Sequence, residues 1–118
     1  MLTRFITPDE LKELRQIDDG YRAALHILSY PVFEDDLRVW RFVFAKPNPG
    51  IDFMNMVRRG RFSSSEKLLL RCAWSLFDGR AKLALDDIAF SLDVEEFSTL
   101  IEAIRIRGGY RLEPRVPI

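Results

Sequence analysis

The sequence predicts a mainly α fold: a compact single-domain bundle of about five to six helices around a central apolar helix at residues 64–77. Three observations predict it. Apolar residues recur at helical spacing over most of the chain. Serine, threonine or aspartate stands one step ahead of several of these runs, where a side-chain oxygen can cap the first backbone N–H groups. Glycine or proline then closes most of them. The chain has 118 residues, one domain by length, and its 47% hydrophobic and 31% charged residues are a globular mixture. The expected organisation is one helical domain over 1–108 and a C-terminal tail over 109–118.

The elements follow in order. Thr7-Pro8-Asp9-Glu10 supplies a cap, a proline at the first helical position and a glutamate. Leu11, Leu14 and Ile17 continue at helical spacing until Asp18-Asp19-Gly20 breaks the run. A second helix covers roughly 21–29, with Ala24, Leu25, Ile27 and Leu28 apolar, and Pro31 ends it. Residues 34–44 admit two readings. The density of β-branched and aromatic residues in LRVWRFVF suits a strand. A helix would place Phe33, Leu37, Trp40 and Phe44 on one face behind the acidic Glu34-Asp35-Asp36, and this reading is preferred. KPNPG is a loop, and Asp52 caps a short helix ending near Arg59-Gly60.

Ser63 with Glu66 three residues on forms a capping box for the central helix. In that helix Lys67, Arg71, Ser75 and Asp78 make one narrow polar stripe among apolar residues, a pattern that predicts burial on most sides. Gly79 suits the left-handed C-terminal position. A shorter helix covers 86–91. The last helix starts at an Asp93 cap with Glu96 completing the box, and Val94, Phe97, Leu100, Ile101 and Ile104 are expected to face inward. Arg105 and Arg107 lie in its last turn, and Gly108-Gly109 stops it.

Composition narrows the function classes. Eighteen basic against eighteen acidic residues give zero net charge, so no strong global pull on nucleic acid or anionic membrane is expected. The single cysteine, Cys72, has no partner for an internal disulfide, and no Cys/His spacing resembles a zinc site. The first residues turn polar too soon for a signal peptide, and no apolar run nears the ~20 residues that span a bilayer. The expectation is a cytoplasmic protein without membrane attachment.

No catalytic, cofactor or metal residues are assigned. Ser64-Ser65-Glu66-Lys67 has the Ser-x-x-Lys spacing of penicillin-binding enzymes, but their companion elements are missing and capping explains the serines. His26 is the only histidine and sits among Leu25, Ile27 and Leu28; a structural role is favoured over a general base. Cys72 lies on an apolar face, where a thiol is inert. The carboxylate pairs Asp18-Asp19, Asp86-Asp87 and Glu95-Glu96 and the triplet Glu34-Asp35-Asp36 all stand at helix ends, where caps and the helix dipole account for them.

Two surfaces are candidates for binding. The helices at 64–77, 86–91 and 94–107 have helix-turn-helix spacing, but the start of the last one carries Asp93, Glu95 and Glu96, which oppose phosphate. Fourteen of the eighteen basic residues are arginine, and they gather as Arg58, Arg59 and Arg61, and as Arg105, Arg107, Arg111 and Arg115. If the two groups converge they form a seven-arginine patch suited to nucleic acid. The aromatic run holding Phe33, Trp40 and Phe44 offers apolar surface for a protein partner. Phe33, Trp40, Phe44, Arg58, Arg59 and Arg61 are therefore the candidate interaction residues.

The order Ala24-Leu25-x-Ile27-Leu28, Asp35-Asp36-Leu37, Gly50-Ile51, Ser-Ser-x-Glu-Lys at 63–67 and Ala73-x-x-Leu76-Phe77-Asp78-Gly79 resembles small uncharacterised bacterial domains of unknown function. The resemblance covers about residues 20–108 and implies a compact helical domain in a bacterial cytoplasm. It implies no activity, so it supplies no site residues. The functional expectation is a non-enzymatic protein–protein interaction or regulatory module, self-associating as a dimer or meeting another protein. A nucleic-acid-associated protein using the arginines is the alternative.

Overall fold

The computed structural model describes residues 18–44 and 49–109. The helix expected over 7–17, most of the KPNPG loop, and the tail from residue 110, with Arg111 and Arg115, lie outside these residues.

Helix α1 (Asp19–Leu28) begins where the sequence suggested a break. The Asp18 carboxylate accepts the Tyr21 N–H at 2.8 Å, and Asp19 adds acid to the first turn. The same three residues that end one run thus start the next. Seven of the ten α1 residues are buried, because the helix lies between the two longest helices, α4 (Ser64–Asp78) and α6 (Val94–Gly108). Alanines allow the close approach: Ala23 and Ala24 on α1, Ala73 on α4 and Ala103 on α6 are all fully buried. Gly20 takes this further. A Cβ there would stand 2.5 Å from the Phe77 carbonyl oxygen, so only glycine lets the start of α1 rest on the end of α4.

Residues 34–44 divide between the two readings. Asp36 caps a single turn, α2 (Leu37–Trp40), by accepting the Arg38 N–H at 2.9 Å. The chain then extends into β1 (Val43–Phe44), which pairs antiparallel with β2 (Gly50–Ile51) in the register Val43↔Ile51 and Phe44↔Gly50. The expected helix through Phe44 is corrected. Backbone groups at its far end bond elsewhere: the Phe44 carbonyl accepts the Tyr21 hydroxyl at 2.8 Å, and the Phe42 carbonyl accepts the Asp52 N–H at 2.9 Å. Helix α3 (Phe53–Arg59) is capped by Asp52 as the sequence indicated, and buries Phe53 and Met56.

Helix α4 carries the expected capping box. The Ser63 hydroxyl accepts the Glu66 N–H, while the Glu66 carboxylate accepts the Ser63 N–H at 2.8 Å. Gly79 ends it at φ +77°. Leu69, Leu70, Cys72 and Ala73 are buried, whereas Trp74, Leu76 and Phe77 are half-buried; α1 therefore buries a larger share of its length than α4. Helix α5 (Leu85–Ser91) buries none of its residues. Helix α6 has its Asp93–Glu96 box and left-handed Gly109 cap, yet buries only Leu100 and Ala103. The mainly α bundle is as expected, and no helix among the described residues is long and apolar enough to cross a membrane.

Candidate interaction surface

The aromatic cluster proposed for a partner serves the core instead. Phe33 is fully buried and meets the Phe62 ring edge-on, 6.2 Å between centroids. Trp40 is 6% exposed, and its indole N–H donates to the Phe33 carbonyl at 2.8 Å. A one-turn α2 is what permits this: the chain folds back so that Trp40 reaches the carbonyl seven residues earlier. Phe44 is half-buried on β1. Phe33 and Trp40 are thus corrected from interaction residues to core residues.

Among the described residues the two arginine groups lie apart. Arg58, Arg59 and Arg61 are exposed near the start of α4. Arg61 holds a left-handed φ of +53°, and its carbonyl, with that of Gly60, accepts the Arg38 guanidinium at 3.1–3.2 Å. Arg38 lies over the Phe62 ring, 4.4 Å from its centroid, and also binds Asp36. Arg107 sits at the other end of α4, donating from Nε to the Leu76 carbonyl at 2.8 Å. Ser63 and Leu76 are separated by about 20 Å of helix at 1.5 Å per residue. Arg105 pairs with Glu102 one turn before it, both carboxylate oxygens accepting its Nε–H at 3.0 Å.

The groups considered for chemistry have settled surroundings. His26 is half-buried on α1 and faces Glu102 and Arg105 of α6; burial lowers its pKa, Glu102 opposes that and Arg105 adds to it. The Glu102 carboxyl is held below its ordinary range by the hydrogen bond from Arg105. The Cys72 thiol is buried and pushed up to about 11, so it stays protonated at neutral pH. Ser64 and Lys67 line a shallow depression with Arg71, Asp87 and Ser91.

The feature the sequence reading missed is an apolar face on α5 and α6. Phe90 is 94% exposed, Leu85 82% and Val94 81%, while Phe97, Ile101 and Ile104 are each 42–44% exposed. Val94, Phe97, Ile101 and Ile104 were expected to point into the core. Their inward orientation is corrected, because the Leu100–Ala103 side packs on α1 and rotates the larger side chains outward. Beside them an open cleft of about 270 Å³ is walled by Leu76, Leu83, Leu85, Ile88, Leu100 and Ile104. The signal in the sequence was Ala103: the small residue marks the side where another helix backbone comes close. No protein-family profile matches the chain, and neither curated proteins nor solved structures give a significant match.

Proposed function

We propose that the chain is a non-enzymatic protein–protein interaction module of a bacterial cytoplasm, and that it docks its partner on the α5–α6 face. The observation that supports this reading most is Phe90, which leaves 94% of its area in water on a helix with no buried residue. Burying a large apolar side chain is worth about 1.5–3 kcal/mol, so six exposed together are a strong incentive to associate. Leu85 and Ile104 line one apolar cleft and Val94 and Phe97 a second, and exposed apolar surface of this kind marks interaction sites.

The nucleic-acid alternative has less behind it. Among the described residues Arg58, Arg59 and Arg61 lie near the start of α4 and Arg107 at its end, and the exposed start of α6 carries Asp93 and Glu95. The test is a photo-reactive benzoylphenylalanine placed at Phe90 in the full-length chain within its host cell. Covalent capture of a polypeptide from position 90, absent when the probe replaces exposed Arg58, supports the docking face. Equal labelling at both positions, or none at 90, overturns it.

A further inference from the structure

The cleft beside α6 arises where the chain leaves helix. Gly79 ends α4, and residues 80–84 cross to α5 without regular structure. The gap between this crossing and the helices is walled by side chains of α4, α5 and α6. Cys72, Ala81 and Leu100 are buried and form its floor, whereas Leu85 is 82% exposed and stands at its rim. Its volume is about 270 Å³. Apolar cavities of roughly 150 Å³ take up benzene, so this one has room for a short alkyl chain.

Charge at the cleft is one-sided. Among the described residues Lys82 is the only charged one in its wall, and its ammonium has no acidic partner there. Two arginines stand close behind. Arg71 donates from Nη2 to the Lys82 carbonyl at 3.3 Å, and Arg107 donates from Nε to the carbonyl of Leu76, another wall residue, at 2.8 Å. Neither forms an ion pair among the described residues. Cations thus border an apolar hollow whose described wall holds no carboxylate. The chemistry complementary to both features is an alkyl chain carrying one anionic head.

We infer that the cleft binds a free medium-chain aliphatic carboxylate, with its chain against Cys72, Leu76, Leu100 and Ile104 and its head beside Lys82. The inference goes beyond the docking reading. Phe90, Val94 and Phe97 have no part in the cleft wall, so the ligand site stands or falls apart from capture at Phe90.

Titration of the full-length chain with octanoate, followed through isoleucine methyl resonances, tests the site. Ile88 and Ile104 line the cleft, whereas Ile101, on the same helix as Ile104 and similarly exposed, does not. Shifts are expected at Ile88 and Ile104 but not at Ile101, saturating with a dissociation constant of about 100 μM for a ligand of this size. Octanol, with the same chain and no charge, should bind about threefold more weakly, the scale of one exposed charge pair. Lys82→Gln should abolish that preference by weakening octanoate alone. Ser75→Phe fills the cleft from α4 and should weaken both probes at least tenfold; if it fails to fold, Lys82→Gln keeps the test decisive. Equal shifts at Ile101 mean adsorption over the whole apolar face and overturn the site. Equal affinity for the two probes overturns the carboxylate head, and no shift at Ile88 or Ile104 overturns the cleft as a ligand site.

Discussion

Helices α1 and α6 are built from similar stock and treated in opposite ways. Both mix alanine with large aliphatic residues, yet α1 buries seven of ten residues and α6 two of fifteen. The difference lies in which face meets the rest of the bundle. On α1, Tyr21, Leu25 and Leu28 point to one neighbour or the other because the helix is enclosed on both sides. On α6 the bundle takes the Leu100–Ala103 side, and Val94, Phe97, Ile101 and Ile104 keep 42–81% of their area in water. Close packing is governed by how near two backbones can come, which small residues decide, and only then by how much apolar area is available.

The comparison breaks most easily at phenylalanine. Phe33→Ala removes a fully buried ring held against Phe62 and is expected to cost about 3–5 kcal/mol in urea unfolding. Phe90→Ala changes a ring that is 94% exposed and should stay within about 0.5 kcal/mol at concentrations where the chain is monomeric. Ile88 already rests α5 on the core, so a Phe90 variant as damaged as the Phe33 variant would mean the Phe90 side of α5 packs as well, and the contrast between inner and outer faces would be lost.

Gly20→Ala sharpens the same contrast from the backbone side. The new methyl would lie 2.5 Å from the Phe77 carbonyl oxygen and 3.1 Å from that of Leu76. Helices α1 and α4 must then separate, at an expected cost of about 1–3 kcal/mol. Gly50, where an added Cβ meets nothing within 4 Å, is the control and should tolerate alanine far better. Smaller again is Ser63→Ala, which removes one half of the α4 capping box and should cost about 1 kcal/mol. All three are read from the midpoint and slope of the same denaturation curves.

The sequence made the helix ends legible and the helix faces much less so. Asp52, Ser63, Gly79, Asp93 and Gly109 all act where their neighbours in sequence require it, because an N-cap needs only a side chain and the next three N–H groups, and a glycine C-cap only a left-handed backbone. Burial is settled by elements far away in the chain. Five apolar positions on α6 made a plausible inward stripe, and only the course of α1 selects the Leu100–Ala103 side. Residues 34–44 failed in another way. Trp40 looked like spare aromatic surface, since nothing local shows that its indole will bond the Phe33 carbonyl. The candidate surface was hidden for the same reason: exposure of Phe97, Ile101 and Ile104 is a tertiary fact.

The weakest effect concerns a titrating group that lies between the compared helices. His26 on α1 is half-buried beside Glu102 and Arg105 of α6. Burial favours its neutral form, so its folded pKa lies below the unfolded value of 6.5. The unfolded chain therefore binds the extra proton more readily, and stability falls as pH drops below 6.5 toward the folded value; above 6.5 the contribution is fully present. Glu102 works against the shift, and its carboxylate, lowered by Arg105, stays charged through this window. Glu102→Gln should accordingly deepen the loss on acidification, while His26→Gln should flatten the slope of unfolding free energy against pH below 6.5. An unchanged slope in the His26 variant would place the acid sensitivity elsewhere and leave α1 and α6 joined by packing alone.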